Sequence, residues 1–260
     1  MSFSIDWLDL REPADHAARG RDLMTRLAKW CEGRDPSVLD LGSGTGSNYR
    51  ALAPRIGGRW TLCDIDDGLL GEARSRHESE PTFAQTRQVD LNADLETLIE
   101  DVAPTVITGS ALIDLASARW LDRLSASLPA DCAFYMALSY DGQEIWTPPP
   151  PHEGQALRAF VDHQKGDKGF GPALGPDAAA HLAAGLTAAG RVVHSEESPW
   201  RLDDQTAPDL ITALAAGSVV AVAEAGEMTD AELAAWSRGR HAARSVTIGH
   251  IDLLALPFED

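Results

Sequence analysis

The chain is poor in three things, and each shortage excludes something. Its 260 residues include three cysteines, Cys31, Cys63 and Cys132. A set that is odd in number and widely spaced supports neither a disulfide framework nor a metal pair. Each is expected to be a small buried residue in a reducing compartment, and no metal is expected. Lysine is equally scarce, at Lys29, Lys165 and Lys168. With 22 basic residues against 40 acidic ones, the formal net charge is −18. A field of that sign repels phosphate backbones, so nucleic acid is excluded as an expected partner and a basic or neutral small molecule is favoured. Long apolar runs are missing as well. The nearest, Leu210 to Ala223, is too short to span a bilayer. Met1 to Glu12 carries acids and no apolar run of a signal peptide. The expectation is a cytoplasmic protein without membrane contact.

What is present is a regular alternation. Hydrophobic residues make up 44% of the chain, enough for a large core, and residues 1–260 are read as one domain. Leu23, Met24, Leu27 and Trp30 recur at helical spacing and predict a first helix over Asp15 to Trp30. Short apolar strands follow at Ser37 to Leu41, Trp60 to Cys63, Thr86 to Val89, Val106 to Thr108 and Ala133 to Ser139, with helices between them. Such alternation predicts a parallel sheet covered by helices on both faces.

Beyond residue 140 the pattern changes. Pro148 to Pro151 reads as a stiff connector, Gln155 to His163 as a helix and Gly166 to Pro176 as a glycine-rich loop. Asp177 is placed to cap a helix over Ala178 to Ala189. Arg191 to His194 is a sixth strand and Ser245 to Leu256 a last long one. Two Ala-rich helices lie between them, the second opened by a Thr229–Glu232 capping box. They suit a helix-packed homodimer and equally a lid. The stretches 146–177 and 203–244 are read as insertions that shape a site or an interface.

The most informative segment is Val38-Leu39-Asp40-Leu41-Gly42-Ser43-Gly44-Thr45-Gly46. Three glycines turn a buried strand into a helix and let a ligand approach the backbone. The dinucleotide fingerprint wants a further glycine where Ser47 stands, and Asp40 would repel a pyrophosphate but suits a cation. Asp64 ends the next strand, 22 residues after Gly42, where a carboxylate can accept from ribose hydroxyls. Asp90 ends the third strand, within reach of an exocyclic amine.

These motifs together resemble the class I S-adenosylmethionine-dependent methyltransferases. Asp40 to Gly46 resembles their motif I, Cys63-Asp64-Ile65-Asp66 their motif II, and Asp90-Leu91 the adenine-side motif. Thr108 to Leu112 sits where their fourth strand opens into the site. The resemblance implies a Rossmann-like three-layer α/β/α sandwich. Its seven-stranded sheet is mostly parallel with an antiparallel last strand, here with a helical insertion between strands six and seven. It implies S-adenosylmethionine as cofactor and S-adenosylhomocysteine as product. Asp40, Gly42, Ser43, Gly44, Gly46, Asp64, Ile65, Asp90, Leu91 and Ser110 are then the cofactor residues.

Candidate acceptor residues lie at the carboxyl ends of strands four and five and in the insertion that follows. They are Asp114, Tyr140, Asp141, Lys168 and Phe170, with His163 as a candidate general base. Arg11 and Glu12, ahead of the first helix, can close over the methionine end of the cofactor. His16, His77 and His241 read as surface residues. The Asn/Asp-Pro-Pro-aromatic motif of enzymes that methylate base amines is replaced by Ser110-Ala111-Leu112. The expected activity is methyl transfer to oxygen or nitrogen of a small molecule. A non-catalytic S-adenosylmethionine-binding protein and a nicotinamide-dependent oxidoreductase are the alternatives.

Overall fold

Ser4 accepts the amide of Trp7 at 3.2 Å and so caps a helix that begins well before the one expected. This is helix α1, Ile5–Ala18, in a computed structural model of the chain that describes residues 3–258. Met1 and Ser2, part of the N-terminal stretch read above, lie outside the described residues, as do Glu259 and Asp260. The single helix expected over Asp15 to Trp30 is two: α1 ends at Ala18, and α2 spans Arg21–Cys31. Gly20 separates them, its amide held by Asp252 Oδ2 at 2.9 Å.

The alternating half of the chain folds as its pattern predicts. Strands β1 (Ser37–Leu41), β2 (Arg59–Asp64), β3 (Phe83–Gln88) and β4 (Val106–Ser110) are joined through helices α3 (Ser47–Ile56), α4 (Asp67–His77) and α5 (Leu95–Val102). Helix α6 (Ala118–Ser127) leads into β5 (Ala133–Thr147). After β5 come α7 (Glu153–Gln164), α8 (Ala178–Ala188), β6 (Val192–Glu197), β7 (Trp200–Asp203), α9 (Pro208–Ala225), α10 (Asp230–His241) and β8 (Ser245–Leu256). The strand order is β3-β2-β1-β4-β5-β8-β6. The first five are parallel, and β8 runs antiparallel to its neighbours.

An eighth strand was not expected. It adds no new column to the sheet: β6 pairs with residues 251–256 of β8 and β7 continues along the same edge against residues 245–248. The break falls at Ser198-Pro199, where proline has no amide to give the ladder.

Each face of the sheet carries its own core. Leu23, Leu27, Tyr49, Leu52 and Trp60 pack one side under α2 and α3. Leu98, Trp120, Leu121, Leu182 and Leu186 pack the other under α5, α6 and α8. β1 is buried from Val38 to Leu41, as a strand covered on both faces must be. A third packing region lies beyond the sheet, where Trp146, Trp200, Leu210, Ile211 and Ile248 meet. There Arg240 is buried between the Trp146 and Trp236 rings, 4.3 and 4.6 Å from their centroids, and pairs with Glu144 at 2.7 Å and Glu153 at 2.6 Å.

Several local expectations are corrected. β5 does not stop at Ser139 but continues to Thr147, because β8 supplies partners for the outer half as far as Thr147↔Ser245. Tyr140 and Asp141 therefore lie within the strand and not after it. Asp177 precedes α8, but its side chain makes no capping bond and meets Lys165 Nζ at 3.4 Å instead. His77 is buried, wedged against Tyr49 and bonded to Glu80 at 2.8 Å. The Thr229–Glu232 capping box of α10 is present in both directions. Helix α9 runs to 18 residues, which by length and composition alone is enough to cross a membrane. Leu210, Ile211, Ala215, Ser218 and Val222 on it are nevertheless buried in the fold.

Candidate active site

The glycine loop after β1 turns through left-handed backbone at Gly42 and Gly44, with φ of 61° and 53°. A side chain at Gly42 would also stand 3.2 Å from Leu112. The loop amides serve the protein itself. Ser43 N donates to Cys63 O, Gly44 N to Asp64 Oδ2 and Gly46 N to Ser43 O, each at 2.9 Å. What the loop presents is a wall of bare backbone, braced by the carboxylate at the end of β2.

That wall borders a cleft across the carboxyl ends of β1, β2 and β4. Gly42, Ser43, Gly44, Asp64, Ile65, Asp90, Leu91 and Ser110 all line it, as the sequence suggested. Asp64 Oδ1 accepts from Asp66 N at 3.0 Å, and Asp90 Oδ1 from Asn92 N at 2.8 Å, so both carboxylates are fixed from behind. Ile65 is 56% exposed, an apolar side chain standing free at the cleft mouth. Ser43 Oγ is buried there without a partner.

Two of the expected cofactor residues are not in the cleft. Gly46 sits at the start of α3, behind the wall and against His77. Asp40 is wholly buried in β1 and reaches the cleft only through Asn48, which lines it. Asn48 Nδ2 donates to Asp40 Oδ1 at 2.6 Å and to Thr108 Oγ1 at 3.0 Å, leaving Asp40 Oδ2 and Asn48 Oδ1 buried without partners.

Burial is what most shifts Asp40: its carboxyl is pushed up to about 7, while Asn48 and Arg19 pull down and the charge of Asp64 pushes further up. An acid raised in this way binds its proton more tightly when folded. Its contribution to stability is therefore present at low pH and is lost as pH rises from the ordinary value of 3.8 through about 7. Asp40→Asn should accordingly gain roughly 2 to 3 kcal/mol of unfolding free energy near pH 8, shrinking toward zero near pH 4. Urea unfolding across that range checks both the sign and the window.

Two further walls come from segments read differently in the sequence. Phe3, Leu8, Arg11 and Asp15 enter from α1 and its approach. Arg11 is held by Asp15 through bonds of 2.9 and 3.0 Å. Glu12 turns away to pair with Arg50. Lys168, Gly169 and Phe170 enter from the glycine-rich loop, where Asp167 Oδ1 accepts the amides of Gly169 and Gly171 at 2.7 and 3.1 Å. Phe170 stacks edge-on against Trp120, with ring centroids 5.0 Å apart. Lys168 and Phe170, expected on the acceptor side, thus belong to the same cleft as the glycine loop.

A second cavity of about 420 Å³ adjoins the first. Asp114 and Tyr140 line it, with Trp7, Trp146, Trp200 and His250, none of which the sequence singled out as site residues. Asp114 is carried by a single 3-10 turn after β4, Ile113–Leu115. Burial pushes its carboxyl up to about 6, against a downward pull from its own backbone amide and from Arg11. Burial, then Arg11, pushes the His250 ring down to about 3. His163 and Asp141 are in neither cavity. His163 faces Glu224 at 2.9 Å between α7 and α9, and Asp141 is engaged by Gln143.

Comparison with known proteins agrees with this geometry. Residues 38–126 match the family described as a methyltransferase domain. No curated protein matches the chain. Among solved structures, a cyclopropane-fatty-acyl-phospholipid synthase-like protein from Lactobacillus casei is 18% identical, with a TM-score of 0.52 over 93% of this chain and 98% of that one. A Bacillus halodurans protein provisionally assigned as a methyltransferase is 13% identical, with a TM-score of 0.55 over 92% and 100%. A Geobacter sulfurreducens S-adenosylmethionine-dependent methyltransferase, crystallised with S-adenosylhomocysteine, is 19% identical, with a TM-score of 0.48 over 99% and 100%. The fold is that of the Rossmann-like methyltransferases.

Proposed function

We infer that this chain, which carries a methyltransferase domain over residues 38–126, transfers a methyl group from S-adenosylmethionine to oxygen or nitrogen of a small molecule. What supports this most is a shared wall: Phe3, Arg11, Ala111 and Leu115 border both cavities, so a donor in one and an acceptor in the other meet there. We read residues 1–260 as one domain, with 146–177 and 203–244 shaping the acceptor side.

The first cleft suits the cofactor by its chemistry. Its walls hold the carboxylates of Asp64 and Asp90 and two buried polar atoms without partners, Ser43 Oγ and Asn48 Oδ1. That set takes a ligand rich in hydroxyl and amine donors. Asp64 would accept from the ribose hydroxyls and Asp90 from the adenine amine. Ile65, Leu112 and Phe170 would enclose the ring. When bound, S-adenosylmethionine supplies an electrophilic methyl on a positively charged sulfur.

The protein's share is to align the acceptor and keep water out. Phe3, Arg11, Ala111 and Leu115 would bring the acceptor atom up to the methyl that the bound cofactor would supply. The acceptor's proton leaves to a carboxylate or to water. Asp114, in the second cavity next to the shared Leu115 and raised toward neutrality, is the side chain suited to take it.

Calorimetric titration with S-adenosylhomocysteine, run beside NADH, tests the cofactor. Micromolar binding of the first and none of the second is expected. Binding of NADH alone would move the chain to the oxidoreductases.

A further inference from the structure

The second cavity sorts its polar groups in an unusual way: the cations are already matched, and what remains is acceptors. Arg11 is held by Asp15 and lies 4.9 Å from the centroid of the Trp200 ring. Arg240 is taken by Glu144 and Glu153, and the Tyr140 hydroxyl donates to Glu144 at 3.2 Å. Three shielded atoms on lining residues have no partner: Asp114 Oδ1, Gln164 Oε1 and His250 Nδ1. Among the described residues, Asp114 has no ion-pair partner, although α1, β5, α10 and β8 all present charged or titratable groups to this cavity. Those groups are Arg11, Tyr140, Glu144, Arg240 and His250. With Asp15 and Glu153 standing behind Arg11 and Arg240, both cations are matched and the carboxylate of Asp114 is left over.

The remaining walls are rings and aliphatic groups. Trp7, Tyr140, Trp146, Phe160 and Trp200 come from four different elements. An aromatic lining attracts flat apolar molecules and cations, and a lone carboxylate selects the cation. The volume of about 420 Å³ falls in the range of small-molecule sites.

We propose that the second cavity is the acceptor site and that it takes a primary arylalkylamine, its ring among the tryptophans and its ammonium nitrogen donating to Asp114 and Gln164, with one proton passing to Asp114 to free the lone pair that takes the methyl. This rests on the methyltransferase reading and adds the acceptor's chemical class to it. A carboxylate-bearing ring is rejected, because both its charge and its lack of donors are wrong for this lining. A neutral ring with a hydroxyl keeps the stacking and loses the charge-assisted hydrogen bond.

Three probes with one ring and three charges test this: 2-phenylethylamine, 2-phenylethanol and phenylacetate, titrated calorimetrically into protein saturated with S-adenosylhomocysteine. The amine is expected to bind about 10- to 100-fold more tightly than the alcohol, and phenylacetate not measurably. In Asp114→Asn the amine should fall to the level of the alcohol, while S-adenosylhomocysteine affinity stays within about 2-fold. Lowering the pH from about 7.5 to about 5 protonates Asp114 and should weaken the amine but not the alcohol. Ala213→Trp, which fills the cavity from α9, should remove amine binding and spare S-adenosylhomocysteine. Equal binding of the three probes, or amine binding unmoved by Asp114→Asn, would overturn the proposal. Failure of S-adenosylhomocysteine to bind the parent protein would instead strike the cofactor reading beneath it.

Discussion

Asp64→Ala should weaken S-adenosylhomocysteine binding by about 300-fold or more, equivalent to roughly 3 to 4 kcal/mol. Two losses add up. The carboxylate would accept from both ribose hydroxyls, and hydrogen bonds to a charged group contribute about 1.5 to 3 kcal/mol each. It also braces the glycine loop, accepting Gly44 N at 2.9 Å while Asp66 N holds its other oxygen at 3.0 Å. Without it the wall at Gly44 loses its register with β2. Asp64→Asn should fall between, since one oxygen survives to hold Gly44 or the ribose but not both. Calorimetry on the two variants, with circular dichroism to confirm the fold, decides it. Unchanged affinity in Asp64→Ala would place the ligand elsewhere on the protein.

The second large effect concerns stability. Asp252, in β8, is wholly buried and accepts four hydrogen bonds. They come from Gly20 N at 2.9 Å, Tyr135 Oη at 2.8 Å, Leu138 N at 2.8 Å and Ser198 Oγ at 2.5 Å. Three of the four donors mark an irregularity: the break between α1 and α2, the left-handed residue within β5 (Leu138, φ 58°), and the break between β6 and β7. Burial, then the charge of Asp252, holds the Tyr135 hydroxyl well above its ordinary value, so it stays a donor. Removing the carboxylate strands four buried donors, each costing about 1 to 3 kcal/mol, and releases the strained Leu138 turn. Asp252→Ala should lose about 5 kcal/mol or more, a large part of a typical domain's stability. Urea unfolding measures it. A loss below about 1 kcal/mol would mean that water replaces the carboxylate at no cost.

The sequence made the first cleft legible because its chemistry is local. Gly42 to Gly46, Asp64 and Asp90 each end or follow a strand of the parallel sheet, and strand ends converge by topology. Asp40 stands one step further from the cleft. Its position in the motif is right, but one residue along a strand reverses the face, and only the fold shows that Asn48 stands between it and the cleft. The second cavity was mostly illegible. Arg11, Tyr140, Trp200 and His250 lie far apart in the chain and meet only when α1, β5, β7 and β8 are assembled. The outer half of β5 was hidden because its partners lie far along the chain, in β8. His163 was drawn in by the composition of its neighbourhood, and a helix that turns it toward Glu224 takes it out again.

The position of β8 in the sheet bears on how the molecule is made. Strands β1 to β5 can pair as soon as they are synthesised, since each except β3 lies beside β1 or β4 and β3 lies beside β2. The outer edge of β5 and the edges of β6 and β7 stay open until residues 245–256 emerge. Pairs such as Phe134↔Ala255 close a very long loop, which is slow and comes late. The first cleft is built from residues no later than Phe170, whereas the second needs Ile248 and His250. A growing chain on the ribosome can thus acquire its first cleft while the neighbouring cavity still has no back wall.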